Sequence, residues 1–420
     1  MTLFAVFIAA TFGVLAWRNF RFALALLFGL LPTYLLRFSV GPVPSTMLEL
    51  LTLTLFAIWI IRNSVAKTFH FSLFTSYSKW RVVVLLLLAA ACFAASYAPD
   101  VFAALGVLKA YYVEPMLVAV MLVSTFTERR DWERAGIALV TSGVVVAVVA
   151  IVQHFTGVGI PAPWDVEGRA TSVFDFPNGV GLFLAPIITG IFIIVPHVTS
   201  HRTRNVLAIS ALLMLGGIVA SATEAAFVAI PAALLLTLML SKAKWSTKIG
   251  TVGVALLLAA IAIGLSGTVR EKILLRDVSG QARVAMWHET VSMLRDNPIL
   301  GAGLSGFPVA IAPYHDATFY EIFQYPHNVV LNIWVELGLL GLVATLLIII
   351  LTIKTTWHHR DDPYTLAAFA ALATMLIHGL VDVPFFKNDL AVMTAGLLAF
   401  LAVRDSRVRD IFKKKVAKHQ

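Results

Sequence analysis

Apolar runs long enough to cross a lipid bilayer recur from one end of this 420-residue chain to the other, and no other feature restricts its fold so much. A hydrocarbon core of about 30 Å takes roughly 20 consecutive apolar residues in a helix. About thirteen such runs can be read. They lie near 2–17, 20–38, 45–61, 82–97, 103–124, 135–155, 178–197, 205–220, 224–241, 249–266, 328–352, 363–380 and 389–403. Hydrocarbon offers the backbone no hydrogen-bond partner, so a crossing segment is helical or belongs to a closed barrel. These runs are continuous rather than alternating, which excludes a barrel. Only 13% of residues are charged and the mean hydropathy is +0.88, whereas a soluble domain carries about a quarter charged residues. The expected fold is all-α, a polytopic transmembrane helical protein of about 12–13 spans.

The net charge of +9 raises the question of nucleic acid, and the placement of the charges answers it. Arg18, Arg21, Arg62, Lys67, Lys79, Arg81, Arg129, Arg130 and Arg134 lie in alternate connections between runs. Arg202, Arg204, Lys242, Lys244, Lys248, Lys354 and Arg360 continue the pattern, and seven more follow from Arg404 to Lys418. Together these are 23 of the 32 basic residues, and only seven of the 23 acidic ones accompany them. Such a bias marks cytoplasmic connections. It places the C-terminus in the cytoplasm and the 156–177 and 267–326 connections outside. Basic charge here encodes topology, and no nucleic-acid partner is expected.

The chain then divides into an N-terminal transmembrane bundle of about ten spans (1–266) and a large extracytoplasmic loop with short amphipathic helices (267–326). About three C-terminal transmembrane helices (327–403) and a basic cytoplasmic tail (404–420) follow. Thirteen spans put the N-terminus outside, in keeping with the absence of Lys or Arg before Arg18. A re-entrant hairpin of the first two segments would lower the count and leave the rest unchanged. The first segment has no basic n-region, so no signal peptide is expected. Cys92 is the only cysteine, which rules out an internal disulfide and a cysteine-based zinc site. In the large loop, Val284, Trp287, Val291 and Leu294 recur at helical spacing, predicting an amphipathic helix over 281–295 on the membrane surface. Asp296-Asn297-Pro298 ends it, and Gly301, Gly303 and Gly306 predict a flexible turn.

Chemistry-bearing residues concentrate where the chain re-enters the membrane. His327 carries the one side chain whose ordinary pKa suits proton transfer near neutrality. Asn328, Asn332 and Glu336 follow at one-turn intervals, a polar stripe that has to face protein or a cavity. Arg283 and Trp287 stand one turn apart on the loop helix, and a guanidinium suits phosphate oxygens. Arg169 is the only basic residue of its outer loop, close to Asp165, Glu167 and Asp175. Lys109 and Glu114 lie within one span, five residues apart, and do not face each other. Gly301-Ala302-Gly303-Leu304-Ser305-Gly306 fits a dinucleotide fingerprint, but no strand precedes it and no βαβ unit surrounds it. His288, His315 and His327, with Asp316 and Glu321, show no recognised ligand spacing, so no metal and no cofactor are expected.

The order of an Arg-x-x-x-Trp helix, Asn-Pro-Ile-Leu-Gly-Ala-Gly, Pro-His-Asn and Glu-x-Gly-Leu-Leu-Gly resembles the O-antigen ligase and O-antigen polymerase superfamily of bacterial envelope glycosyltransferases. The match runs through Arg283, Trp287, Asn297, Pro298, Gly301, Gly303, Phe307, His327, Asn328, Glu336, Gly338 and Gly341, with Arg169 and Pro177-Asn178 as a second segment. The resemblance implies a metal-independent, inverting transfer of a glycan from an undecaprenyl-diphosphate donor. The acceptor would be a hydroxyl, on a glycolipid or another molecule, at the extracytoplasmic face of the bacterial inner membrane, among membrane lipids. It gives His327 the part of base and Arg283 that of diphosphate ligand. Arg169, Asn328, Trp287, Asn332, Glu336 and Glu224 fall in the implied substrate-binding region. One departure stands out: Ala222-Thr223-Glu224-Ala225 occupies a place where many members carry Ser-Arg or Thr-Arg, and a glutamate repels a diphosphate. A polymerase or a protein O-oligosaccharyltransferase fits the same residues. A secondary transporter would instead show repeats and ionisable groups at mid-membrane.

Overall fold

The computed structural model describes residues 2–40, 43–65, 78–265, 267–317 and 319–416; Lys67 and Lys418 of the basic inventory fall outside them. Each of the thirteen apolar runs is helical over most of its length. Helices α1 (Thr2–Arg18) and α2 (Phe20–Leu26) meet at Asn19, whose side chain accepts from the Phe22 N–H and caps α2. A 3₁₀ stretch, Leu27–Leu35, then runs into a small antiparallel hairpin, β1 (Arg37–Val40) with β2 (Val43–Thr46), pairing Arg37 with Thr46. This hairpin occupies the junction between two of the apolar runs. The runs at 20–38 and 45–61 each lose an end to it, because Pro32 and Pro44 bring no N–H and Val40 and Val43 favour extended backbone.

Next come α3 (Met47–Val65), α4 (Ser78–Ser96), α5 (Val101–Thr125) and α6 (Arg129–Thr156). A wide turn at Lys109–Val113 interrupts α5 and points Lys109 at α3, where Nζ lies 2.8 Å from Glu49 Oε1. Glu114 is buried separately, so the two do not pair. After a single helical turn at Trp164–Glu167 come α7 (Asn178–Ile194), α8 (His201–Ser221), α9 (Glu224–Leu240) and α10 (Trp245–Leu265). The large loop holds α11 (Gly267–Ile273), α12 (Val278–Asp296) and α13 (Phe307–Ile311). The chain closes with α14 (Val329–His358), α15 (Pro363–His378) and α16 (Asn388–Val416).

Among the described residues, seven helical segments are long and apolar enough to cross a membrane alone: α3 to α6, α8, α14, and α7 with its 3₁₀ extension to His197. Four more, Phe4–Arg18, Phe20–Leu35, Glu224–Leu240 and Pro363–His378, are apolar but shorter. The chain is an all-α, polytopic membrane protein.

Helix α7 is its axis. Two-thirds of its membrane-length window is buried, against 28–39% for the other six, and it packs on α15, α8, α9 and α6. Lipid supplies no hydrophobic drive between helices, so close contact of small residues has to hold them. A Cβ on Gly181 would sit 2.2 Å from Thr223 Cγ2, and one on Gly217 would sit 2.9 Å from Ala147 Cα. Thr189 and Thr374 join α7 to α15 through hydroxyls 2.9 Å apart. At one end of the bundle Arg129 meets Glu133 and Tyr364, Lys242 meets Asp361, and Arg404 meets Asp362. The 156–177 connection and the large loop gather at the other.

Candidate active site

Helix α14 is broken, and the break builds the site's floor. Gly338 has φ +64° and ψ −167° inside an otherwise regular helix. The ordinary bond from Leu339 N–H to the Val335 carbonyl is replaced by two bonds to the loop. Leu339 N–H donates to Ile299 O at 2.9 Å, and Ala302 N–H donates to Val335 O at 2.7 Å. Glu336 Oε2 accepts from the Ser305 N–H at 3.0 Å, and Trp334 Nε1 donates to Pro298 O at 2.7 Å. A Cβ on Gly301 or Gly338 would lie 2.3 Å from a carbonyl oxygen of the opposite segment. The glycine-rich run expected to be a flexible turn is therefore a plug seated in α14. The Glu-x-Gly motif exists to receive it.

Helix α12 lies over this plug. It ends at Asp296, as the Asp-Asn-Pro signal predicted, but its buried face is Met286, Thr290, Met293 and Leu294. That stripe is rotated from the expected Val284, Trp287, Val291 and Leu294, because α12 packs on Phe307, Ile311 and Val335 of the protein. The rotation leaves Arg283 and Trp287 at the flank, against the turn that carries His327. Trp287 Nε1 donates to Pro326 O at 2.9 Å, and Arg283 Nε donates to Val381 O at 3.1 Å. Arg283 also donates to Ser279 Oγ at 2.7 Å, which leaves further N–H groups of its fork free.

His327 is a non-glycine residue with φ +46°, a conformation that costs energy and persists only where its surroundings impose it. They do so from both sides. Asn328 caps α14 through the Val330 and Leu331 N–H groups and donates from Nδ2 to Leu380 O at 3.0 Å. The Val329 N–H donates to Gly379 O at 2.6 Å. The His327 ring thus faces the connection between α15 and α16, with Nδ1 3.6 Å from Asp382 Oδ1. At that separation the contact is an electrostatic pairing that a small ring movement turns into a hydrogen bond. Nδ1 is buried, while the side chain keeps 21% of its surface exposed, so Nε2 lies on the open edge. Burial alone would raise the Asp382 carboxyl, but His327, Lys387 and His378 hold it well below the usual carboxylate range.

Asp382, Lys387 and His378 were not anticipated from sequence. Lys387 is 9% exposed, its ammonium 4.2 Å from the centre of the Phe176 ring and 5.8 Å from that of Tyr325. Burial pushes it down, against the pull of Asp382, Asp389 and Asp175. Among the described residues no carboxylate pairs with it directly. His378 is buried with neither ring nitrogen bonded. The signal was there to find: Asp382 and Lys387 sit in a short break between two apolar runs and Asp389 opens the second, where charge is costly unless it is used. Asp175 also lines a cavity of about 630 Å³ with Pro32, Thr33, Arg37, Ser142 and Val146.

Other candidates are placed elsewhere or committed to structure. Arg169 donates to the Ser221 and Ala222 carbonyls and to Asn178 Oδ1, closing the C-terminus of α8, with Glu167 3.6 Å away. Glu224, at the start of α9, pairs with Lys272 of α11. Asn332 is buried with neither amide atom bonded. Glu336 supports the plug. His315 pairs with Glu289 and His327 with Asp382, so these two histidines belong to separate contacts.

Residues 209–346, from the middle of α8 to the middle of α14, match the family model described as O-antigen ligase. Over 118 residues the chain is 26% identical to a Rickettsia conorii protein and 25% identical to one from Rickettsia prowazekii, both named as candidate polysaccharide ligases. A Rickettsia felis protein of the same description is 24% identical. Each match covers 27% of this chain and 29% of the relative.

Proposed function

We propose that this O-antigen ligase-like membrane protein transfers a glycan from an undecaprenyl-diphosphate donor to an acceptor hydroxyl, at the extracytoplasmic face of a bacterial inner membrane. The observation that carries the reading is the convergence of His327, Asp382 and Arg283 on one turn, beside the motifs shared with the family. His327 Nε2 takes the acceptor's proton as its oxygen bonds to the anomeric carbon. The bond from that carbon to the donor phosphate breaks, its electron pair leaves with the diphosphate, and the configuration inverts. Asp382, paired with Nδ1, fixes the ring and stabilises the imidazolium. The free N–H groups of Arg283 and the buried Lys387 stabilise charge on the departing diphosphate, so no metal is required. Lys387 also meets the difficulty raised by Glu224, whose charge Lys272 offsets. The cavity between Pro32 and Asp175 suits part of the polyprenyl chain. The acceptor reaches the open edge of His327.

A transporter also uses broken helices. Here the groups released at Gly338 are bonded by the plug, which leaves nothing for a transported ion. Transfer assayed with purified protein, a polyprenyl-diphosphate glycan and several acceptors, with and without chelator, tests the proposal. Product that persists in chelator supports it. No product with any acceptor, or activity abolished by chelation, contradicts it.

A further inference from the structure

Between Phe319 and His327 the loop lays out a row of aromatic rings. Phe319 and Tyr320 lie 5.4 Å apart between ring centres, Tyr320 and Phe323 lie 6.1 Å apart with planes within 7°, and Phe323 meets the His327 ring edge-on at 5.2 Å. Phe319 is 57% exposed and Phe323 36%. The row is fixed from one side by Glu289, which lies on α12. Its carboxylate accepts from the Tyr320 hydroxyl, from His315 Nδ1 at 3.0 Å, and from the Asp316 and Ala317 N–H groups at 3.3 and 3.4 Å. Four donors on one mostly buried carboxylate tie His315, Asp316, Ala317 and Tyr320 to α12.

We infer that this row is a glycan subsite, in which sugar rings lay their C–H faces on Phe319 and Phe323 and present the next unit to His327. A pyranose has an apolar face and a hydroxyl edge. Exposed rings flanked by polar groups match both. The inference rests on the transfer reading of His327, since the row's contact with that ring gives the ligand its class. Aromatic residues also anchor proteins at bilayer interfaces, mostly as Trp and Tyr. An anchor needs neither a fixed succession of rings nor a four-donor carboxylate to hold them, and it would not end on the edge of a histidine.

The test uses the full wild-type chain in nanodiscs without donor, so that no turnover occurs, and a panel of free hexose and N-acetylhexosamine oligosaccharides followed by saturation-transfer NMR. At least one oligosaccharide should bind, weakened about tenfold or more by Phe319→Ala or Phe323→Ala and retained by Phe319→Trp. In the active protein, Phe319→Ala should raise the KM of a glycan substrate about tenfold and leave kcat within about twofold. Binding by no member of the panel, alanine variants that bind like the parent, or strong quenching of a tryptophan at 319 by brominated lipid would each overturn the inference. Because the NMR readout is binding in the absence of donor, its failure leaves the transfer proposal standing. A transfer-competent His327→Ala protein would overturn the transfer proposal while leaving the binding result readable.

Discussion

His327 and Asp382 lie 55 positions apart in sequence and 3.6 Å apart in space, and the backbone of two turns holds them there. His327 was legible as a candidate because a histidine opening a membrane helix is costly without a use. Its partner was not, because only the folded connection between α15 and α16 brings it across. Asp382→Asn is expected to lower the transfer rate at least about tenfold with little change in donor KM, since the amide neither fixes the ring's tautomer nor stabilises an imidazolium. The sign of the pH effect follows from the depressed carboxyl. Its contribution to stability is present above the unfolded carboxylate value near 4 and lost only as pH falls below that, so Asp382 stays charged across any assay between roughly pH 5 and 9. Arg283→Ala should weaken donor binding by about ten- to a hundredfold, the worth of charge-assisted hydrogen bonds, as measured by equilibrium binding of a diphosphate-linked donor. Unchanged donor affinity would remove Arg283 from the site.

At the level of elements, the sequence named the helices more securely than their faces. The apolar runs and the Asp-Asn-Pro stop placed α12 correctly. Its buried stripe was misread because Met286 and Met293 face α13 and α14, a contact that periodicity within one helix cannot disclose. The glycines were recognisable as a motif, but their task depends on a partner segment that sequence does not reveal. Gly338→Ala puts a Cβ against the Ile299 carbonyl at a left-handed φ and should cost more than about 2 kcal/mol, read as a lowered unfolding midpoint in detergent. A wild-type midpoint would contradict the seated plug. Glu289 offers a second handle. Burial tends to raise it, but the Tyr320 and His315 hydrogen bonds lower it overall. Its hold on the loop is therefore present above the ordinary glutamate value near 4.3 and lost as pH falls through the lower folded value. Proteolysis between 315 and 323 should increase only below about pH 4, and Glu289→Gln should increase it at neutral pH.

Over the whole molecule, three of the cations expected on the cytoplasmic side share one end of the bundle. Arg129, Lys242 and Arg404, assigned to the cytoplasm on charge alone, meet Tyr364, Asp361 and Asp362 at one end of the bundle. His327, Arg283 and the plug lie at the other. The two-stranded hairpin near Arg37 and the central place of α7 were not legible, since both follow from packing between distant segments. Single cysteines placed at 166 and 321 in a Cys92→Ala background should label from outside intact cells, and cysteines at 243 and 359 only after permeabilisation. The reverse pattern would put the site on the wrong face for a polyprenyl-linked glycan. The central claim is that His327 is the base of a transfer made at the outer face. The most direct measurement is the rate of glycan transfer by reconstituted His327→Ala protein under saturating donor, beside wild type. The account predicts a rate lower by about a hundredfold or more with donor binding retained. A variant that transfers glycan at the wild-type rate would contradict it.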